Sequence, residues 1–485
     1  MKQVSKTLPS LVFVLYFFIG LTFSGKQGFW HDEMYTLTFL KGFSIYPFEG
    51  SIWQKNNIIT DVNYFKNYFL QDRFYSNFSL QILHEGHPPL YFLLLKMWSS
   101  IFGYSEIALR SFSLVSGLLS FLVLFNLVKT KEENSIASWA LLAVLVLNPT
   151  LFYFFTEARM YALSFLLASL SFKFWIDYQK ERTVKTKAYL LFLLSSVLLL
   201  YTHYYGLFFL LSILLFELIK YGFSKSVFNL CLPFLLFLPW ALAIRKQLIF
   251  HAVHWTDGLV SFQDSLIGYF DGLTSLMISP TASAYFNEKL IMLVIATLVL
   301  LYLIFKNPRF ALLFVSVILV YGLQIYLFDQ LVGKHSILVP RYYILVLIFI
   351  FWGLFEFFNA AYKPLSFLVL IVYSTLASTV FLQLYLLKRA PKEMIREVAG
   401  YVDSQIDSKS TILVFEPEGP LMVGVAYYLN NNFRLSTAQR FPSELGPSAI
   451  YIDEMLGVAS SENKFHNDQQ KNLKKIPFVG ISLYK

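Results

Sequence analysis

Cysteine is nearly missing: Cys231 is the only one in 485 residues, and it lies inside an apolar run. It can build neither an intrachain disulfide framework nor a cysteine metal site. Charge is scarce as well, at 14% of residues against about 25% in soluble domains. No G-x-G-x-x-G and no P-loop occurs, so the common nucleotide-phosphate cradles are absent. No internal repeat stands out, which weighs against a transporter built on inverted repeats. What fills the chain is apolar: 56% hydrophobic and 19% aromatic residues, with a mean hydropathy of +0.57. These proportions predict a polytopic helical membrane protein. The net charge of +9 sits in short basic clusters between apolar runs, the positive-inside pattern and not a nucleic-acid footprint. No nucleic-acid partner is expected.

Apolar runs long enough to span lie near 8–24, 110–128, 135–154, 160–178, 188–205, 206–220, 227–243, 289–305, 310–328, 342–359 and 364–386, giving about eleven transmembrane helices. Residues 8–23 could pass for a signal-peptide core, but no small-x-small cleavage site follows, so an uncleaved first span is expected. Segment 87–103 is apolar but short for a bilayer and is expected to lie in the interface or re-enter. Lys2 and Lys6 then place the N-terminus in the cytoplasm, and nearly every basic loop falls inside. If 87–103 crossed, those loops would all flip outside. The first external loop, 25–109, carries Tyr/Phe-rich stretches such as residues 63–69 that read as interfacial amphipathic helices. After Lys388-Arg389 the composition turns soluble. Strands are expected at 410–416, 433–436, 449–453 and near 478–484, with a helix at 420–429. The expected fold class is therefore an all-α polytopic membrane protein, residues 1–388, with a small C-terminal extracytoplasmic α/β domain, residues 389–485, in the plasma (inner) membrane.

This topology puts the polar motifs on the external face. Asp32-Glu33, just after the first span, can supply a general base that takes a proton from an attacking hydroxyl or amine; the competing reading is a solvated loop pair. In His84-Glu85-Gly86-His87-Pro88-Pro89 the prolines start a helix and place His87 where amides favour an anion such as a lipid phosphate. His84, Glu85, His87 and Asp32 could also assemble a divalent-metal site, although no tight ligand spacing is present. Arg110 stands at the start of the second span. Glu157 and Arg159 could pair, or Arg159 could grip a phosphate. His203 and Tyr204 read equally as an aromatic-belt anchor or as part of a site. Arg341 is a candidate phosphate clamp, with Tyr342 suited to stacking on a sugar.

The ordered set of Asp32-Glu33, His87-Pro88-Pro89-Leu90-Tyr91, Gly103 to Ser111, Thr156 to Leu163, Thr202 to Gly206 and Pro340-Arg341-Tyr342 resembles bacterial GT-C glycosyltransferases. It is most similar to the family 39-like group of protein O-mannosyltransferases and lipid A aminoarabinose transferases, over roughly residues 10–350. The resemblance implies a polyprenyl-phosphate-linked sugar donor, a lipid, glycan or protein acceptor, and inverting transfer at the external face with no required cofactor. It implies that Asp32 is the catalytic base with Glu33 completing the pair. It further implies that Glu85, His87, Arg110, Glu157, Arg159, His203, Tyr204, Arg341 and Tyr342 line the substrate site, with His87 and Arg341 near the donor phosphate. The rival readings are a polysaccharide polymerase or ligase with a diphosphate-linked donor, and a transporter or flippase. The latter would spread polar residues through mid-span, whereas here they cluster at one end.

Overall fold

The computed structural model describes residues 4–42, 60–63, 66–67, 71–129, 136–250, 257–279, 286–386, 395–406, 411–415, 420–438, 449–454, 475–478 and 481–484. In chain order they form α1 (Val4–Ser24), α2 (His31–Lys41), β1 (Thr60–Asp61), α3 (Phe74–His84), α4 (Leu90–Phe102), α5 (Glu106–Lys129), α6 (Ile136–Leu147), α7 (Pro149–Phe155), α8 (Tyr161–Glu181), α9 (Lys187–Leu200) and α10 (Gly206–Tyr221). Then come α11 (Lys225–Asn229), α12 (Leu232–Phe237), α13 (Ala241–Phe250), α14 (Phe262–Ile278), α15 (Phe286–Lys306), α16 (Pro308–Val332), α17 (Val346–Ala360), α18 (Lys363–Leu386) and α19 (Ile395–Gln405). The tail adds β2 (Thr411–Phe415), α20 (Pro420–Tyr428), β3 (Arg434–Ala438), β4 (Ala449–Glu454), β5 (Lys475–Phe478) and β6 (Ile481–Tyr484). Two compact units result. The larger takes Met1–Phe23, Ile82–Leu94 and Arg110–Leu387; the smaller takes Ser24–Gln81, Leu95–Leu109 and Lys388–Lys485.

The larger unit is helical, and its long apolar helices make the chain an integral membrane protein. Among the described residues, 5 helices are long and apolar enough to cross a bilayer, or up to 6 if α6 and α7, bent by 56°, count as one span. Several of the other expected runs are shorter apolar helices, among them those in α1, α9 and α17, and α4, expected to be short, is one too. The breaks have local causes. Asn148 caps α7 by accepting from the Leu151 amide at 2.7 Å, and Pro149 takes the first helical position, where a missing N–H costs nothing. Asn148 Nδ2 donates to the carbonyls of Leu276 and Met277, and the Thr150 hydroxyl to Ser275. The break is thus tied to the end of α14, and its buried polar atoms are satisfied.

The fifth span does not reach Tyr205, because α9 stops at Leu200 and residues 201–205 form a turn before α10. The Thr156 hydroxyl bonds back to the carbonyls of Phe152 and Tyr153, ending α7, and α8 starts at Tyr161, close to the expected 160. Both breaks leave the polar motifs in turns, where side chains can converge.

The smaller unit joins a six-stranded sheet of order β1-β3-β2-β4-β6-β5 to helices α2, α19 and α20. β2 runs parallel to β3 and β4, and β1 is antiparallel to β3. The single strand expected near 478–484 is instead an antiparallel pair, β5 with β6, and β6 also pairs with β4. Gly424 lets α20 approach α2: a Cβ there would lie 3.3 Å from Met34 Cγ and 2.9 Å from Ile395 Cγ2. Most of the Tyr/Phe-rich stretch expected to form interfacial helices, at 64–65 and 68–69, lies outside the described residues.

Candidate functional site

In the larger unit, three turns bring cationic and aromatic side chains together around His203. The α9–α10 turn carries it, and its Nδ1 accepts the Tyr205 amide at 3.2 Å. That bond places the ring proton on Nε2. Nε2 is buried and has no hydrogen-bond partner among the described residues. Burial, with His87, Arg159 and Arg341 adding their charges, holds His203 well below its ordinary protonation range. It is a neutral donor among cations.

The neighbours are set by specific contacts. The His87 ring lies 5.6 Å from that of His203, and Glu85 holds His87 Nδ1 at 2.8 Å. Tyr161, opening α8, packs 5.8 Å from His203. Arg159, 5% exposed, follows α7, and the Ser113 hydroxyl donates to its carbonyl at 3.3 Å. Glu157, Arg159 and Arg110 are all buried, a costly placement for charge unless it is matched. Of the amides at the start of α4, that of Leu90 donates to the Tyr201 carbonyl at 3.0 Å.

Arg341 and Tyr342 lie in a tight turn at 340–343 ahead of α17, not in the helix itself. Gly272 of α14 makes room for this turn, since a Cβ there would fall 1.5 Å from the Tyr343 hydroxyl. Asp329 braces it by accepting from Ser336 and from the Ile337 amide. Tyr342 stacks on Tyr205, and the Arg341 guanidinium lies 5.7 Å from the Tyr342 ring. Tyr204 points another way. It takes the Trp240 indole N–H at 2.9 Å and bonds Gln247, whose amide donates to the carbonyls of Ile82 at 2.6 Å and His87 at 3.3 Å. Tyr204 therefore holds the His87 segment in place. Gln247, Tyr321 and Asp329 are scaffold residues without sequence signals of their own, because each acts through a partner distant in the chain.

In the smaller unit, Asp32 and Glu33 fall in the first turn of α2, where unpaired amides favour negative charge. They are not equivalent. Glu33 is buried, and its Oε2 accepts the Trp30 amide at 3.4 Å, closing the helix start. Asp32 is half-exposed. The helix that carries both is anchored near its ends. Phe29 donates its amide to the Tyr428 hydroxyl, which in turn donates to Glu106 at 2.8 Å. Lys96, 2% exposed, bonds the Leu40 carbonyl, Asp72 and Tyr104. Among the described residues, no group of three His, Cys, Asp or Glu could hold a metal ion; the His84 side chain is not among those described.

Residues 86–250 match the family model described as dolichyl-phosphate-mannose-protein mannosyltransferase. That stretch contains His87, Arg110, Glu157, Arg159, His203 and Tyr204. Over its whole length the chain shares the fold of ArnT from Cupriavidus metallidurans, crystallised with undecaprenyl phosphate. The TM-score is 0.56 at 10% identity, covering 100% of this chain and 98% of that one. The apo form of the same ArnT aligns at a TM-score of 0.45 and 11% identity, covering 99% and 98% of the two chains. No curated protein matches the chain in sequence.

Proposed function

We propose that the protein is an inverting membrane glycosyltransferase. It moves a sugar from a polyprenyl-phosphate-linked donor to a lipid, glycan or protein acceptor at the external face of the plasma membrane. One observation carries this reading: His203 offers a buried Nε2–H with no acceptor among the described residues, beside His87, Arg159 and Arg341. A neutral donor among fixed cations suits a phosphate oxygen whose charge grows as the sugar leaves. The fold shared with a protein crystallised with undecaprenyl phosphate supports the same ligand class here.

In this reading Asp32 takes the acceptor proton as the acceptor attacks the anomeric carbon. The carbon–oxygen bond to phosphate breaks, and polyprenyl phosphate leaves with the bonding electrons. Asp32 enters from its motif and its half-exposed place at the start of α2, while Glu33 shapes the helix end. Arg341 and His87 bind the phosphate, and Tyr342 meets the sugar. The chain supplies its own cations at the phosphate, so no cofactor is required. The membrane part crosses about eleven times, counting shorter and broken helices. Its N-terminus is cytoplasmic, and the tail beyond 388 is an extracytoplasmic domain.

Binding of polyprenyl phosphate to purified full-length protein tests the carrying observation. Removing a hydrogen bond to a charged group costs roughly 10-fold or more in affinity. His203→Ala should show that loss, while His203→Gln, which keeps an N–H donor, should stay within about threefold. Equal binding by wild type and His203→Ala would remove the phosphate from this site.

A further inference from the structure

A second cavity lies farther along α8 and α10 from the His203 turn. A cleft of about 390 Å³ opens between α8, α10, α16 and α17, a size that suits small amphiphiles. Its residues on α8 run from Phe172 to Gln179, about 17–27 Å along the helix from Tyr161. It is therefore distinct from the His203 cluster, and a ligand bound there is independent of the proposed transfer reaction.

The walls are aromatic, with Phe172, Trp175, Phe314, Phe349 and Trp352 among them. The mouth is polar and leaves positive charge over. Glu217, 1% exposed, receives Arg182 at 2.9 Å and the Trp175 indole N–H at 3.2 Å. Arg182 also lies over the Tyr221 ring at 3.4 Å. With Glu217 matched by Arg182, Lys220 remains as an exposed cation beside Phe216 and Tyr221. Gln179 Oε1, on the lining, is buried and receives no hydrogen bond among the described residues. A buried acceptor of this kind calls for a donor. The surrounding surface mixes exposed Ile219 and Phe223, at 71% and 83%, with exposed Lys180, Lys185, Lys187 and Lys225. Apolar side chains beside a basic rim are what a lipid-facing surface presents to anionic headgroups.

We infer that this cleft binds a glycerophospholipid with an anionic, hydroxyl-bearing headgroup, drawn from the leaflet that faces the basic loops. An acyl chain lies among the aromatic walls, the phosphate meets Lys220, and a headgroup hydroxyl donates to Gln179 Oε1. A zwitterionic choline lipid offers no such hydroxyl and no net negative charge.

Full-length protein in phosphatidylcholine vesicles, with phosphatidylglycerol carrying brominated chains added, tests this by tryptophan quenching. Trp175 is 7% exposed, so bilayer chains outside the cleft reach it poorly. Brominated phosphatidylglycerol should quench at least threefold more than brominated phosphatidylcholine at the same mole fraction. Trp175→Phe combined with Trp352→Phe should remove most of the difference, and Lys220→Glu, an exposed substitution, should erase it without changing the melting temperature. Equal quenching by the two lipids in the wild type would overturn the inference. So would selective quenching that survives both Lys220→Glu and Gln179→Leu. Displacement of brominated phosphatidylglycerol by an equimolar amount of polyprenyl phosphate would assign the cleft to a polyprenyl carrier and overturn it equally.

Discussion

Tyr205 and Tyr342 stack with ring centroids 4.7 Å apart and planes within 5°. Their backbone carbonyls both lie within reach of the fully buried Tyr321 hydroxyl, at 3.3 and 3.4 Å. One side chain of α16 thus couples the turn that carries His203 to the turn that carries Arg341. Tyr321→Phe keeps the ring and removes that link. It should lower transfer about 3- to 10-fold and stability by about 1 kcal/mol. Steady-state kinetics beside a melting curve check this, and wild-type kinetics in Tyr321→Phe would show the link to be dispensable.

The two carboxylates of α2 should separate in assays. Asp32→Asn removes the proposed base and should cut kcat by about 10²–10⁴, with donor affinity and melting temperature close to wild type. Glu33→Gln should instead lower the melting temperature, because Glu33 is buried and accepts the Trp30 amide. Near wild-type turnover in Asp32→Asn would transfer the base role elsewhere.

His203 gives a signed pH dependence. Its protonation is held well below the ordinary value of 6.5, first by burial and then by His87, Arg159 and Arg341. Below that value the unfolded chain takes up a proton here that the folded chain refuses, so stability falls as the pH drops and is at full value above it. The apparent melting temperature should therefore be lower at pH 5.5 than at pH 7.5. His203→Gln should narrow the gap. An unchanged gap in that variant would assign the acid sensitivity to other groups.

The Tyr428 hydroxyl links the Phe29 amide to Glu106, and Arg396 reaches both Glu106 and the Lys26 carbonyl. The tail therefore braces the segment leading into α2. Tyr428→Phe should reduce kcat more than donor affinity, by about 3- to 10-fold for lost bonds of this kind. Equal loss in both parameters would point to a general loosening of the unit.

The membrane class and the polar motifs are legible in the sequence, because hydropathy and Asp-Glu, His-Pro-Pro and Pro-Arg-Tyr clusters are local signals. Asn148-Pro149 is hidden within an apolar run, where a cap looks like an ordinary span residue. The Asn148 break depends on Ser275 to Met277, more than 120 residues away. Gln247, Tyr321 and Asp329 escape notice because their partners, too, are set by the fold. The pairing of β1 with β3 joins Thr60 to Leu435, a contact that no local pattern announces. In the sequence Glu33 reads with Asp32 as one catalytic pair, since burial, which separates them, is not visible in adjacent letters.

The most direct measurement is sugar transfer by purified full-length protein from matched donors differing only at the linkage: polyprenyl monophosphate, polyprenyl diphosphate and nucleotide diphosphate. Transfer is expected from the monophosphate donor, with inverted anomeric configuration, undiminished by a chelator and lost in Asp32→Asn. Transfer from the diphosphate-linked donor alone, or equal turnover by Asp32→Asn, would contradict the proposed mechanism.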